Sequence, residues 1–536
     1  MSSSVHRLAS LVRWLHHFLA DRHQRGARVA AAIAGTIALL SAILGVETAR
    51  KRPRYQHAVE LPGLSRLFGH ALMLGNAYDA FHDAIFHIFR AQLDRGHGFT
   101  AHLTIPFAQP RYLTVDPRNV EHVLKTKFDN YIKGPGFIDH QHALLGGGIF
   151  NTDGNAWRVQ RKAASMIFSV RNFRDHMLHV FDRHARTLVD KLDDAATKRT
   201  VVDLHEWFHR FTLDGMAEIA FGSPIDSLKA DAPLQFAVAF DRAQAITNKR
   251  MIMGVMQRRI TEWLNGDGER LRKYVQTTDE FAYRLIAKRR ADSDSGTAND
   301  LLARFLAMKK PGSKQGYSDQ ELRDMIINFI IAGRDTTAQA LSWTIFELTQ
   351  HPHVVAAMRA EIARVLPTLA SDENGIDYDA LTRDLVYARA VFSEALRLHP
   401  SVPEELKFAV QSDVLPDGTT VRAGEGVQWS PYTMGRLTEL WGHDALEFKP
   451  ERWIREDVQQ PGPYKYPVFN AGPRTCLGQQ MAYLEGVACL VKLVAKFDFD
   501  VVDPSEVVYG MALTLPMRDG LRVRVRRHVP LAQTVV

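Results

Sequence analysis

The chain has 536 residues, 67 lysines and arginines against 60 aspartates and glutamates, and a formal charge of +7. So mild an excess, with no dedicated basic stripe, argues against a nucleic-acid-binding protein and fits a membrane surface or an acidic protein partner better. The two cysteines, Cys476 and Cys489, stand thirteen apart on a predicted loop and helix, which argues against a structural disulfide and suits a reducing compartment.

Residues 1–20 carry Arg7 and Arg13, no acid, and Leu8, Leu11, Val12, Leu15, Phe18 and Leu19 at helical spacing with Trp14. Such a segment would lie along a membrane interface; a mitochondrial presequence is the competing reading. Residues 29–46 contain no charge and are flanked by Arg22, Arg25 and Arg28 before and by Arg50, Lys51, Arg52 and Arg54 after. Eighteen uncharged residues are just long enough to span a bilayer, with a buried core helix or a cleaved signal sequence as the alternatives. Cations on both sides leave the orientation open. The expected division is 1–60, an amphipathic segment, transmembrane anchor and basic linker, followed by one large unit over 61–536.

Within that unit, residues 101–115 read as short strands, 117–127 as a helix, and 128–148 as a loop rich in glycine and histidine. His140-x-His142 and His351-x-His353 have a metal-compatible spacing but no third ligand, so a surface or loop role is expected for them. Trp157 and Arg161 are four apart and share one helix face. Residues 201–221 read as an amphipathic helix that only packs. Residues 230–310 continue as charge-rich helix with a polar insert at 293–299.

Ser318 and Glu321 form a capping-box pattern that opens a long helix running into Ala332-Gly333-Arg334-Asp335-Thr336-Thr337. An acid and two hydroxyls on a mostly apolar helix need a reason, since each costs free energy if buried without a partner, and Gly333 loosens the helix there. Glu394 and Arg397 place opposite charges three apart on one face, with Pro400 limiting that helix and Pro450-Glu451-Arg452-Trp453 following downstream.

Residues 469–478 read Phe-Asn-Ala-Gly-Pro-Arg-Thr-Cys-Leu-Gly. Gly472 and Gly478 let the backbone turn tightly and approach a flat partner, Arg474 supplies a fixed cation, and Cys476 offers a soft sulfur ligand. A helix from Gln479 onward puts Cys476 just before an N-terminus, where the dipole and free N–H groups favour a thiolate. That is how a loop would grip an iron porphyrin.

The pattern Phe-x-x-Gly-x-Arg-x-Cys-x-Gly resembles the haem-thiolate loop of the cytochrome P450 superfamily at all its fixed positions. The resemblance implies a mainly α fold with small β-sheets, a single large P450 unit behind an N-terminal anchor. It implies haem b, with Cys476 as axial iron ligand, Phe469 near the sulfur, and Arg474, Trp157 and Arg161 on the propionates. Ala332 and Gly333 would lie flat against the haem, Thr336 would hydrogen-bond the bound oxygen, and Asp335 with Thr336 would relay protons. Glu394, Arg397 and Arg452 would form a structural network. Residues 128–148 would cap the substrate cavity, its roof lying in the first part of 230–310.

Arg397 to Pro403, Asp413 to Thr419, Gly435-Arg436, Trp441-Gly442, Glu447 to Trp453 and Leu513 to Met517 are more similar to the plant and fungal fatty-acid ω-hydroxylase branch. By that analogy Phe329, Ile330, Ile331, Ala332, Val402, Leu513 and Leu515 line an apolar cavity, and Arg334, Lys133 or Lys407 could meet a carboxylate. Glu404 and Glu405 depart from the expectation, setting two acids beside the wall. With no Gly-x-Gly-x-x-Gly fingerprint and no P-loop, NADPH would act through a separate reductase, with cytochrome b5 as a further donor, and O2 as co-substrate. The resemblance puts the chain in the endoplasmic reticulum membrane, single-pass, catalytic unit cytosolic, with a mitochondrial membrane as the alternative. A reductase-independent hydroperoxide-rearranging enzyme and a non-enzymatic membrane haem-binding protein are the competing functions.

Overall fold

The computed structural model describes residues 59–60, 70 and 78–529, apart from 105–107, 252, 254, 293–299, 311–313, 370–374 and 456–459. The expected interfacial segment, anchor and most of the basic linker, and the polar insert at 293–299, lie outside the described residues. Among the described residues no helix is long and apolar enough to cross a membrane.

The fold is mainly helical. Its principal helices are α1 (Phe81–Asp94), α2 (Gly134–Leu145), α3 (Gly154–Ser165), α4 (Leu178–Lys198), α5 (Leu204–Phe221), α6 (Gln235–Arg250), α7 (Asp267–Ala291), α8 (Asp319–Ile330), α9 (Thr336–Gln350), α10 (Val386–Leu398) and α11 (Gln479–Lys496). The strands are β1 (Val59–Glu60), β2 (Thr100–Leu103), β3 (Arg111–Thr114), β4 (Tyr131–Ile132), β5 (Val201–Asp203), β6 (Glu405–Ala409), β7 (Asp413–Val414), β8 (Thr420–Val421), β9 (Gly426–Trp429), β10 (Phe497–Val501) and β11 (Arg522–Arg527). A six-stranded sheet runs β1-β2-β3-β9-β6-β4, a three-stranded one β10-β11-β5, and β7 pairs with β8. In the largest sheet β3 joins β2 antiparallel and β9 parallel, so Arg111 stands between Leu103 and Gly426.

The larger core gathers α4, α5, α9, α10 and α11, with Phe181, Phe208, Phe211, Leu341, Phe392 and Leu490 fully buried. A second core lies under the large sheet, around Phe89, Tyr112, Val123 and Trp429. Helix α5 packs against α4, α9 and the turn between α8 and α9, fixing the helix that faces the cysteine loop. Ser318 caps α8 as expected: its Oγ accepts from the Glu321 N–H while Glu321 Oε2 accepts from the Ser318 N–H.

Two local readings need correction, and a third, the helix over 117–127, holds with a change of winding. Residues 128–148 are not a loop throughout, because α2 occupies Gly134–Leu145 and buries Phe137, His140, Leu144 and Leu145. Its glycines sit at the ends, Gly134 at φ +77° and Gly146 at φ +53°, and leave the apolar middle to coil. The helix expected over 117–127 begins as α-helix at Pro117–Glu121, behind an Asp116 cap, and continues as a π-turn over His122–Thr126. The 201–221 stretch starts as β5, and Asp203 then caps α5 by accepting from the N–H groups of His205 and Glu206.

Candidate functional site

Two cavities, of about 230 Å³ and about 180 Å³, adjoin between the cysteine loop, the α8–α9 turn and the large sheet. Lys133, Phe150, Ala332, Thr336, Val402 and Glu405 line both and mark where they meet.

The inner cavity is built on residues 469–478. Gly472 sits at φ +61°, and a Cβ there would come within 2.1 Å of the Leu124 carbonyl oxygen, so only glycine allows the loop this close to the His122–Thr126 turn. The Cys476 N–H donates to the Phe469 carbonyl at 2.8 Å, closing the loop over itself. Gly478 has an ordinary φ of −86°, and a Cβ there would find only Cys476 Sγ at 3.8 Å and Phe168 at 4.0 Å. No turn requires glycine at 478; its missing side chain leaves open the cavity face beside the sulfur.

Cys476 has accessible surface, but onto the inner cavity. The helix N-terminus alone does not make it anionic: burial pushes the thiol above its ordinary value, against the Gly478 N–H and the Arg161 guanidinium. Desolvation wins because a lone thiolate costs more in an apolar pocket than one N–H returns.

Trp157 and Arg161 project from α3 towards the loop. Arg474 lies 4.4 Å and Arg161 5.8 Å from the buried indole ring of Trp157. Arg474 donates to Asp153 and to the Thr152 carbonyl, both at 2.9 Å, and Arg161 to the Thr475 carbonyl at 2.6 Å. Arg161 has no carboxylate partner, and burial lowers it. On β6 the Lys407 ammonium is buried without a hydrogen-bond partner, and burial together with the neighbouring cations Lys133 and Arg474 pushes it well down. Arg161, with no carboxylate partner in a cavity that also holds Arg474, calls for an anionic group from elsewhere.

Opposite the sulfur, α8 passes into a π-turn over Ile331–Asp335 before α9 begins. Ala332, Gly333 and Thr336 line the inner cavity, and Thr336 Oγ1 donates to the Ala332 carbonyl at 2.6 Å. Gly333 has a second reason beyond flatness: a Cβ would lie 2.4 Å from Met216 Sδ on α5. Asp335 is 2% exposed and opens instead onto a third, polar cavity of about 570 Å³. Its Oδ2 accepts from Gln244 at 2.7 Å and its Oδ1 from Arg334 at 2.8 Å, while Arg334 also pairs with Asp241. Burial outweighs Arg334 and pushes the Asp335 carboxyl up to about 6.

Glu394, Arg397 and Arg452 meet in one network. Arg397 grips both Glu394 oxygens at 2.8 Å, Arg452 Nε donates to Oε1 at 2.9 Å, and the Trp453 indole N–H donates to Oε2 at 2.9 Å.

The cavity residues expected by analogy divide. Ile331, Ala332, Val402 and Leu513 line the outer cavity and Phe329 the inner one, whereas Ile330 and Leu515 are turned into the core and line neither. The basic candidates also divide. Arg334 is committed to Asp241 and Asp335 away from this cavity, Lys407 lines neither cavity, and Lys133 lines both but pairs with Glu405 at 3.3 Å. The two wall acids are engaged: besides that pair, Glu404 accepts from Gln428 at 2.9 Å and meets His82 Nδ1 at 3.3 Å. Sequence reasoning missed Arg111, an outer-cavity residue whose only local sign is that it opens a strand.

An iron porphyrin suits these residues on three observations: a cysteine sulfur at the cavity face, open space where a Gly478 side chain would stand, and the cavity guanidinium groups of Arg161, which has no carboxylate partner, and Arg474.

The Cytochrome P450 family model matches residues 62–517. The chain is 40% identical over 435 residues to cytochrome P450 704C1 of Pinus taeda, covering 77% of this chain and 84% of that protein. It is 36% identical over 470 residues to cytochrome P450 704B1 of Arabidopsis thaliana, covering 80% and 88%. Among solved structures, the cytochrome P450DA heme domain superposes with a TM-score of 0.74 at 25% identity, over 89% of this chain and 99% of that one.

Proposed function

The chain belongs to the cytochrome P450 family and is a haem-dependent monooxygenase, and from that premise we propose that it hydroxylates long-chain fatty acids or related aliphatic molecules, at or near the terminal carbon. A bound haem would supply the O2 chemistry by which one oxygen atom enters a C–H bond and the other leaves as water with two protons, its two electrons coming from NADPH through a separate reductase that would dock on the Cys476 side.

Cys476 would ligate the iron, and Arg161, Arg474 and Trp157 would hold the propionates. On the opposite face Ala332 keeps the wall apolar and Thr336 supplies the hydroxyl. Asp335 Oδ2 takes up a proton from the polar cavity beyond the helix, and Thr336 Oγ1 gives one up where the two lined cavities meet. A carboxyl near pH 6 is partly protonated at neutral pH, which suits it to that exchange.

The observation that carries the substrate reading is the outer cavity, walled by Phe81, Leu103, Phe137, Ile331 and Leu513 and joined to the cysteine cavity at Ala332 and Thr336. An apolar sleeve ending at a reactive centre accepts an alkyl chain end-on. The resemblance to the fatty-acid ω-hydroxylase branch supports the same reading. We also assign the chain to the endoplasmic reticulum membrane through residues 29–46. The test is purified protein with reductase, NADPH and a ladder of fatty acids, product position read by mass spectrometry. Terminal hydroxylation is expected; turnover of a fatty-acid hydroperoxide without NADPH, and of none of the acids with it, would replace the proposal by the rearranging chemistry.

A further inference from the structure

Six arginines are buried among the described residues, and five of them pair with a carboxylate: Arg210 with Glu206, Arg289 with Asp300, Arg323 with Asp279, Arg334 with Asp241, and Arg397 with Glu394. The sixth, Arg111, has none. It is 8% exposed, its terminal nitrogen donates to the Met251 carbonyl at 2.8 Å, and its Nε is buried without a hydrogen-bond partner. Burial alone lowers the guanidinium to about 10, with no acid to offset it. Removing one partner of a buried ion pair is among the most destabilising changes a core can suffer, so a fold that keeps one such cation unpaired has a use for it.

The aim of the side chain is fixed. Arg111 opens β3 opposite Gly426 of β9, and a Cβ at 426 would lie 3.0 Å from Leu406 Cδ1 and 3.3 Å from Arg111 Cγ and Phe408 Cε1, so the glycine makes room for the arginine stem and the two apolar side chains packed with it. Arg111 lines the outer cavity and is not among the residues shared with the cysteine cavity. Both acids in that wall are already engaged, Glu404 with His82 and Gln428 and Glu405 with Lys133, so neither is free to turn towards it.

We propose that Arg111 is the carboxylate anchor of the substrate site, holding the acid end of a fatty acid in the outer cavity so that the methyl end runs to Ala332 and Thr336. A guanidinium in an apolar pocket binds a carboxylate through paired, charge-assisted hydrogen bonds, which also fix the direction of the attached chain. Tethering the acid end away from the junction makes the far terminus the part that reaches the reacting centre. The anchor rests on the fatty-acid reading above.

The test uses the full chain with its haem, an NADPH-dependent reductase, and three probes of one chain length: hexadecanoic acid, its methyl ester and hexadecanol. Binding is read from the change in haem absorption, product position by mass spectrometry, and folding from haem content. For Arg111→Ala and Arg111→Gln the preference for acid over ester falls about tenfold or more. The loss lies in KM rather than kcat, and oxidation of the acid spreads inward from the terminal carbon. Arg111→Lys recovers most of the preference. An unchanged acid-to-ester ratio overturns the anchor, and so does an equal loss for both probes, which marks a packing role. Terminal oxidation of the acid by both wild type and Arg111→Ala leaves the fatty-acid reading standing and removes only the anchor. A wild type that oxidises the ester or the alcohol but never the acid removes both.

Discussion

Asp335 and Thr336 are consecutive, yet they open onto different cavities: the carboxyl faces the polar space with Arg334, Gln244 and Asp241, and the hydroxyl faces the cysteine loop. The π-turn over Ile331–Asp335 precedes them, and Thr336 Oγ1 donates back to the Ala332 carbonyl one turn earlier, as hydroxyls on helices commonly do. The helix is therefore the partition between a side crowded with ionisable groups and an apolar one, and this pair spans it.

Replacing Thr336 by Ala removes a proton-bearing group from the apolar side and one hydrogen bond to the helix itself. Such a bond is worth about 0.5–1.5 kcal/mol net, so fold and haem content are expected to survive. NADPH consumption should continue while the fraction recovered as hydroxylated product falls several-fold and peroxide rises. Product and peroxide measured against NADPH give the answer, and unchanged coupling would remove Thr336 from the proton path.

Gly333 and Met216 make a separable pair. A methyl group at 333 would overlap Met216 Sδ and Cγ, at 2.4 Å and 2.7 Å, and overpacking of this kind costs about 1–3 kcal/mol. Gly333→Ala is expected to lower the thermal midpoint, and Met216→Ala in the same chain to restore part of it. The double-mutant cycle should show coupling; independent effects would mean that the glycine answers to something other than α5.

The buried carboxylate of Glu394 holds Arg397, Arg452, the Trp453 indole and the Lys449 N–H together. Glu394→Gln leaves two guanidinium groups beside a neutral amide, a loss of about 3–5 kcal/mol by the standard of broken buried pairs. Against a typical stability of about 5–15 kcal/mol this should sharply reduce the yield of soluble haem-loaded protein. Wild-type yield and melting temperature in the variant would show that the network is dispensable.

What was legible in the sequence is what lies close in sequence. Trp157 and Arg161, Glu394 and Arg397, and the loop from Phe469 to Gly478 are each within one or two turns of chain, where spacing alone fixes who faces whom. Helix phase against the rest of the molecule is not local, and there the reading failed. Phe329 faces the inner cavity while Ile330, one residue on, faces the core; Asp335 turns away from the cavity its neighbour lines; Arg334 answers to Asp241 on α6 rather than to substrate. Arg111 was invisible because its meaning is the absence of a partner, which only the packed fold can reveal. The glycine-rich stretch before Trp157 misled by composition, since its glycines end a helix rather than prevent one.

Four histidines are buried uncharged, and they contribute to the acid limb of stability. Desolvation lowers His102 and His140 to about 4 and His205 and His209 to about 3, from an ordinary 6.5. His205 and His209 stack edge to face at 4.4 Å on α5, where burial, together with Arg334 and each other, outweighs the pull of Asp203 and Asp241 on His205. Because the folded values lie below the unfolded one, the unfolded chain binds more protons below pH 6.5. Stability is therefore full above that pH and is lost as pH falls from 6.5 towards 4, by about 1.4 kcal/mol per histidine per pH unit. Asp335 runs the other way, since a carboxyl raised to about 6 gains relative stability as pH falls from 6 to 4, and it offsets roughly one of the four. Thermal melts between pH 7.5 and 5 should show a steep drop below 6.5. In the double variant His205→Gln with His209→Gln, the slope should fall by about 2 protons' worth. An acid limb as steep as the wild type's would mean that these two side chains already carry protons in the folded protein, contrary to their surroundings of Ser342, Arg334 and each other.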